Sequence, residues 1–214
     1  MRSMSETKDA SLRQLGEVLN ALERCFLVGG SPGVKLAAGL AFELLTGRGL
    51  GGRPLPARSR SMVSFAVSVT ILAPSMDKVL LNRSRRGALL PRINLHDSAQ
   101  SIYLEAKRLS RESSGDDAAE LALLGRPLAV ELWDDDPEHL VVCLNFLAIS
   151  RTEGGDAPQT SANWTYVDLD QLDLNRMDPR ECLAVSEMLS IMGFANPYDL
   201  SEDEKTPLDI HPAA

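Results

Sequence analysis

The 214 residues carry 30 acidic against 22 basic side chains, a formal charge of −8, a predicted pI near 4.9 and 44 % hydrophobic residues. That length and apolar share can bury a real core in one domain with extra segments, while the acidic balance argues against a general binder of nucleic-acid backbone, which needs surplus cations to release counterions. No apolar run approaches the ~20 residues that span a bilayer, and the polar, acid-bearing start MRSMSETKDASLRQL has the pattern of neither a secretion signal nor a transit peptide. The expected compartment is the cytoplasm, where Cys25, Cys143 and Cys182, odd in number and without a CxxC pair, read as reduced and partly buried thiols.

Residues 1–10 are polar and expected to be disordered. From residue 11 apolar side chains recur at helical spacing, at Leu12, Leu15, Val18, Leu19, Leu22 and Phe26, until Gly29-Gly30 ends the run. Ser31 and Pro32 are placed as N-cap and first residue of a second helix through Val34, Leu36, Ala37, Leu40, Ala41, Leu44 and Leu45, with Gly47 as its stop. Residues 11–46 thus read as a helical hairpin, packed on the main domain or on a second copy of the chain. The run GGSPGVK is not a phosphate-cradling loop, because Val34 separates Gly33 from Lys35 and a helix precedes it. Residues 47–61 have linker composition, rich in glycine and proline, with Arg48, Arg53, Arg58 and Arg60.

A domain is expected over 62–200. Val63, Phe65, Val67, Val69 and Ile71 alternate with smaller or polar residues, the period of a half-buried strand. Pro74–Asp77 supplies a turn, Val79–Leu81 a second strand, and Arg83, Arg85 and Arg86 follow. A Leu-Pro turn at Leu90-Pro91 leads into a polar loop and then a helix ending at Gly115, with Asp97 as N-cap and Gln100 closing a capping box. The run AAELALL fits helix or strand equally. Leu128–Trp133 reads as strand, Asp134-Asp135-Asp136-Pro137 as a turn, and Leu140–Ile149 as a central strand buried on both faces. After a polar loop, Trp164–Val167 is another strand, and Asp178-Pro179 caps a last helix closed by Gly193. Residues 201–214 form an acidic tail expected to be flexible.

Three stretches resemble the Nudix hydrolase superfamily, together spanning about residues 62–192. These are VLLNR at 79–83, LLPRINLHDSAQSIYLEAKRLSRESSG at 89–115, and the Trp-containing strand WTYVDLDQL at 164–172. The resemblance implies an α/β fold: a Nudix-like α/β/α sandwich with a mixed sheet, here with the N-terminal helical hairpin added. The family's box reads Gly, five residues, Glu, seven residues, Arg-Glu, an aliphatic, one residue, Glu-Glu, one residue, Gly. Anchored on Gly115, Arg108 stands at the Arg position and Glu112 at the first of the paired Glu. Leu109, Ser113, Gln100 and Asn94 replace the other Glu positions and the first Gly. The spacing matters because residues three and four apart share a helix face, where the family's carboxylates converge on Mg²⁺ that binds diphosphate oxygens and helps activate water.

One of three expected metal-binding carboxylates therefore remains. Glu105, seven residues before Glu112, points to a similar side and is the natural helper. The candidate set implied is Glu112, Glu105 and Arg108 as catalytic residues, Glu112 and Glu105 as ligands to Mg or Mn, and Arg83, Arg85, Arg86 and Arg92 as cations for substrate phosphates. His96 and Asp97 in the preceding loop are further candidates. On the bland reading, Arg108–Glu112 is an i,i+4 pair that steadies a helix by ~0.2–0.5 kcal/mol, Glu105 faces solvent or pairs with Arg108, His139 is a structural strand entry and Asp134–Asp136 a solvated turn. The resulting expectation is a Nudix-fold protein with a degraded box, acting as a binding or scaffolding module with little or no hydrolase activity. A homodimer through the hairpin is the expected partner, a nucleotide a possible ligand, and no membrane is expected. The alternatives are a divergent metal-dependent Nudix pyrophosphohydrolase acting on a nucleoside diphosphate derivative, and an RNA- or nucleotide-binding relative.

Overall fold

The computed structural model describes residues 4–28, 31–46, 62–84, 87–95, 101–123, 126–136, 139–151, 164–178 and 181–194. The linker 47–61, the tail 201–214, and Arg85, Arg86, His96, Asp97 and Gln100 lie outside them. Four helices, α1 (Met4–Val28), α2 (Pro32–Thr46), α3 (Ile102–Ser114) and α4 (Cys182–Ile191), surround one sheet. Its strands are β1 (Met62–Leu72), β2 (Lys78–Ser84), β3 (Gly87–Leu89), β4 (Arg92–Leu95), β5 (Glu120–Leu121), β6 (Ala129–Asp136), β7 (His139–Ile149) and β8 (Trp164–Asp168).

β1 and β7 are the spine. They pair in parallel along their whole length, from Met62 opposite His139 to Leu72 opposite Ile149. β4 and the start of β2 flank β1 antiparallel, β6 and β5 flank β7 antiparallel, and β8 and β3 both pair with β2. The mixed α/β sandwich expected from the sequence is therefore present. Because side chains alternate across a strand, Val67, Val69 and Ile71 share one face with Leu144, Phe146 and Ala148. α3 covers that face, and its Tyr103 ring meets Phe146 edge-on at 5.6 Å. The other face carries Ser68 and Thr70 beside Asn145, and α4 packs there and against β6.

The hairpin belongs to the same core. Val18, Ala21, Leu22 and Cys25 of α1 and Val34, Ala38 and Ala41 of α2 are fully buried with the sheet residues. Polar ties reinforce this: the Cys25 thiol donates to the Pro127 carbonyl at 3.4 Å, and the Ser31 amide donates to Glu187 Oε1 of α4 at 2.9 Å. Ser31 is the N-cap the sequence predicts, its Oγ accepting from the Val34 amide at 3.4 Å. Leu12 and Phe26, placed by periodicity on the buried stripe, are 58 % and 38 % exposed, because the stripe that meets the sheet is the narrower one through Val18, Leu22 and Cys25.

Several local expectations need correction. α1 begins at Met4 rather than at residue 11, since nothing between Met4 and Leu12 breaks a helix. The loop after Pro91 is the strand β4, held in register by β1 through Ser68 opposite Arg92 and Phe65 opposite Leu95. Asp134 and Asp135 do not turn; β6 runs on to Asp136 opposite His139, with a register shift after Trp133 absorbing the irregularity. The ambiguous AAELALL contains a two-residue strand, β5. α4 starts at Cys182, with Glu181 rather than Asp178 as its N-cap residue.

Candidate functional site

α3 begins at Ser101, whose backbone is extended and whose side chain makes no capping bond. Asp97, the expected cap, lies outside the described residues; Glu17 Oε2 of α1 accepts the Ile102 amide proton at 2.8 Å. A carboxylate there also meets the positive end of the helix dipole, so the hairpin positions the start of α3. Ile102, Ala106 and Leu109 form the buried stripe at i, i+4 and i+7. Gly115, at φ 69°, ends the helix in the left-handed conformation that glycine adopts without penalty. Beyond it the buried Asp116 locks the helix to the end of β7. Its Oδ2 accepts from Ser150 Oγ at 2.7 Å and from the Arg151 amide at 2.5 Å, and its Oδ1 accepts from the Ala118 amide at 2.8 Å.

Glu105, Arg108 and Glu112 do come together on α3. Arg108 Nε and Nη2 donate to Glu105 Oε2 at 3.0 and 2.8 Å, and Nη1 donates to Glu112 Oε2 at 2.5 Å. Glu105 is 5 % exposed rather than solvent-facing, because it sits beside the Ile102–Ala106 stripe, while the Glu112 side chain is 57 % exposed. The hydrogen bonds to Glu112 and Glu105 raise the Arg108 pKa. Arg108 is therefore the cation between the two carboxylates. Leu109 is buried among apolar neighbours and Ser113 is neutral, so two box positions that would add oxygen charge add none. Among the described residues no group of three or more His, Cys, Asp or Glu is arranged to hold a metal. Two carboxylates opposed by one guanidinium are a poor donor set for Mg²⁺, which binds through carboxylates with phosphate and water completing an octahedron.

The opposite face of the sheet holds a second charged group that the sequence reading missed. Arg92 lies in β4 beside Ser68, not in a loop facing phosphates. Its Nη1 is 3.5 Å from Glu181 Oε1, and its guanidinium sits over the Trp133 ring, 5.2 Å from the centroid. The Trp133 indole N–H donates to Glu131 Oε2 at 3.3 Å. Glu131 and Glu181 are both buried, and Glu131 Oε1 has no hydrogen-bond partner among the described residues. The Glu131 carboxyl is pushed up from 4.5 to about 8, first by burial and then by the Glu181 charge; Trp133, the Ala184 amide and Arg92 offset part of it. Cys143, opposite Glu131 in β7, is raised for the same reasons, desolvation first. Below lies a buried polar row: Asn145 Nδ2 donates to Ser68 Oγ at 2.7 Å, and Thr70 Oγ1 donates to Asn145 Oδ1 at 3.0 Å. The signal for Glu131 was in the sequence, an acid at alternating spacing inside the apolar run Leu128–Trp133. Nothing local marks Glu181. Of the other predicted cations, Arg83 lies in β2 opposite Ala88, its side chain outside what is described.

No family model and no curated protein sequence matches the chain. Solved structures of similar fold include Nudix hydrolases. A NUDIX-family hydrolase from Clostridium perfringens is 20 % identical, over 59 % of this chain and 97 % of that one, with a TM-score of 0.40. An Ap4A hydrolase from C. elegans is 16 % identical, over 61 % and 98 %, with a TM-score of 0.48. An ADP-ribose pyrophosphatase from Streptococcus suis is 21 % identical, over 57 % and 89 %, with a TM-score of 0.39.

Proposed function

We propose that the chain is a binding or scaffolding protein on a Nudix-like fold, with little or no pyrophosphohydrolase activity. The observation that carries this reading is the pairing on α3. Arg108 donates to both Glu105 and Glu112, so their negative charge is already matched by a tethered cation. A divalent ion would have to displace that guanidinium, and neither Leu109 nor Ser113 offers an oxygen ligand with charge. What is lost is not one residue but the charge balance that draws Mg²⁺ and diphosphate together.

The test is turnover by the full chain, with Mg²⁺ or Mn²⁺, of a panel that includes diadenosine tetraphosphate, ADP-ribose and nucleoside diphosphate sugars. The expected result is no release above the protein-free blank. Metal-dependent turnover abolished by Glu112→Gln would overturn the reading. It would favour the second one, a divergent hydrolase, for which the convergence of Glu105 and Glu112 on a single guanidinium is the supporting observation. A nucleotide- or RNA-binding role draws less support, since Arg92 is engaged by Glu181 and Trp133.

The partner we propose is a second copy of the chain, meeting the outer side of the hairpin where Leu12, Leu27 and Val28 are exposed. Leu27→Glu would then lower the solution mass measured by light scattering; an unchanged mass would remove this partner. The compartment we propose is the cytoplasm, in keeping with three cysteines free of disulfides. No described helix is long and apolar enough to cross a membrane.

A further inference from the structure

A cavity of about 420 Å³ lies between α2, β6 and the start of α4, away from the α3 carboxylates. Leu36 and Leu40 of α2, Leu132 of β6 and Leu183 of α4 make its walls apolar, and Glu131 and Trp133 border it. Leu36 and Leu40 are 65 % and 45 % exposed, so the cavity opens to solvent along α2. Apolar walls with one or two polar groups, at this volume, are the usual make-up of a small-molecule site. The polar group here is unusual, because Glu131 is a buried carboxyl with one oxygen lacking any partner among the described residues.

We propose that this cavity binds a small apolar amine as its ammonium ion, with Glu131 as the counter-charge. The nearest cation does not serve that purpose, since Arg92 is turned to Glu181 and to the Trp133 ring. What Glu131 has instead is one indole N–H at 3.3 Å and the nearby Ala184 amide. Burial then keeps a proton on the carboxyl. As an ammonium group enters from the α2 side, the carboxyl releases its proton to solvent, and the buried Oε1 turns about the last bond of the side chain to accept from the ammonium. The charge-assisted hydrogen bond so formed is stronger than a neutral one in a low-dielectric pocket, and the ligand's apolar body fills the leucine-lined volume. A carboxylate ligand of the same shape would add a third acid to a buried group in which the Glu181 charge already helps keep Glu131 protonated. A neutral alcohol would gain the apolar contacts and only a neutral hydrogen bond from the protonated carboxyl.

The test is calorimetric titration of the full chain with 2-phenylethylamine, 2-phenylethanol and 3-phenylpropionate, three probes of one shape and different charge. The expected result is saturable binding of the amine, about tenfold or more tighter than the alcohol, and no binding of the acid. Glu131→Gln is expected to bring the amine down to the alcohol's affinity. Leu40→Trp, a change at an exposed helical position that fills the cavity, is expected to abolish amine binding while leaving the circular dichroism and melting temperature of the chain as they were. Equal affinity for amine and alcohol, absence of amine binding, or an amine affinity untouched by Leu40→Trp would each overturn the proposal. The outcome is separable from the reading of α3, because turnover of a nucleoside diphosphate derivative would leave amine binding here where it stands.

Discussion

Two groups of charge flank this sheet, one on each face, and they are balanced in opposite ways. On α3, one guanidinium is shared by two carboxylates, and the solvent-exposed Glu112 carries the excess charge where water can screen it. On the other face, Arg92 pairs with Glu181 and reaches Glu131 only through its charge, and both carboxyl groups are buried. There water cannot help, and the excess charge is removed by keeping a proton on Glu131. The same residue types thus give a surface brace on one side and a protonated, incompletely hydrogen-bonded acid on the other. The difference teaches that the number of acids in a cluster says little until the depth of each is known.

The comparison breaks most visibly at Arg92. Arg92→Met leaves Glu181 buried without the guanidinium, and removal of one partner from a buried pair costs ~3 kcal/mol or more. Urea unfolding at pH 7 is expected to show a loss of that order; a loss below ~1 kcal/mol, the range of surface pairs, would mean that the two faces are not so different. Next in size is the pH dependence set by Glu131. Its carboxyl titrates near 8 in the folded chain against 4.5 ordinarily, so between those values the folded chain holds a proton that the unfolded chain releases. Stability from this group is therefore greatest at the acid end, falls as pH rises from about 4.5 to about 8, and is level above that. Glu131→Gln is expected to flatten that slope and to exceed the parent at pH 8.5 by more than ~1 kcal/mol, since one pKa unit is worth ~1.4 kcal/mol. Melting temperatures from pH 5 to pH 9 with parallel slopes for both proteins would contradict it. Third is Glu105→Gln. It removes the charge from a buried acceptor of two Arg108 hydrogen bonds, for an expected loss of ~1 kcal/mol by the same urea measurement.

The α3 side of this comparison was legible in the sequence, and most of the other side was not. The i,i+4 spacing of Arg108 and Glu112, and the glycine at 115, dictate a helix whose charges meet, because helical geometry is local. The strands were legible for the same reason, in the period-two run from Val63 to Ile71 and the continuous apolar run to Ile149, but β1 is not half-buried: Ser68 and Thr70 lie as deep as Val67 and Val69, because α4 covers the second face. What failed was whatever depends on partners far along the chain. β4 looks like a loop because Arg92 and Asn94 are polar, yet β1 supplies its hydrogen bonds. The start of α3 is set by Glu17, 85 residues earlier. Arg92, Glu131 and Glu181 come from three separate elements, so no local spacing joins them, and Arg92 read as a free cation for phosphates.

The smallest expected effect is also the one that sharpens the comparison most. Glu112→Gln removes the exposed partner of Arg108 while Glu105 keeps its two hydrogen bonds, so the chain is expected to lose only ~0.3 kcal/mol. That loss should vanish in 1 M salt, where the Debye length is ~3 Å. Neither Mg²⁺ nor Mn²⁺ should change the melting temperature of the parent or the variant, because the guanidinium already neutralises the pair. A metal-dependent rise of several degrees in the parent, absent from Glu112→Gln, would require that the ion displace Arg108 and bind both carboxylates. In that case α3 would be a cation site held shut by its own arginine, and the contrast between the two faces would lie in which cation each acid prefers.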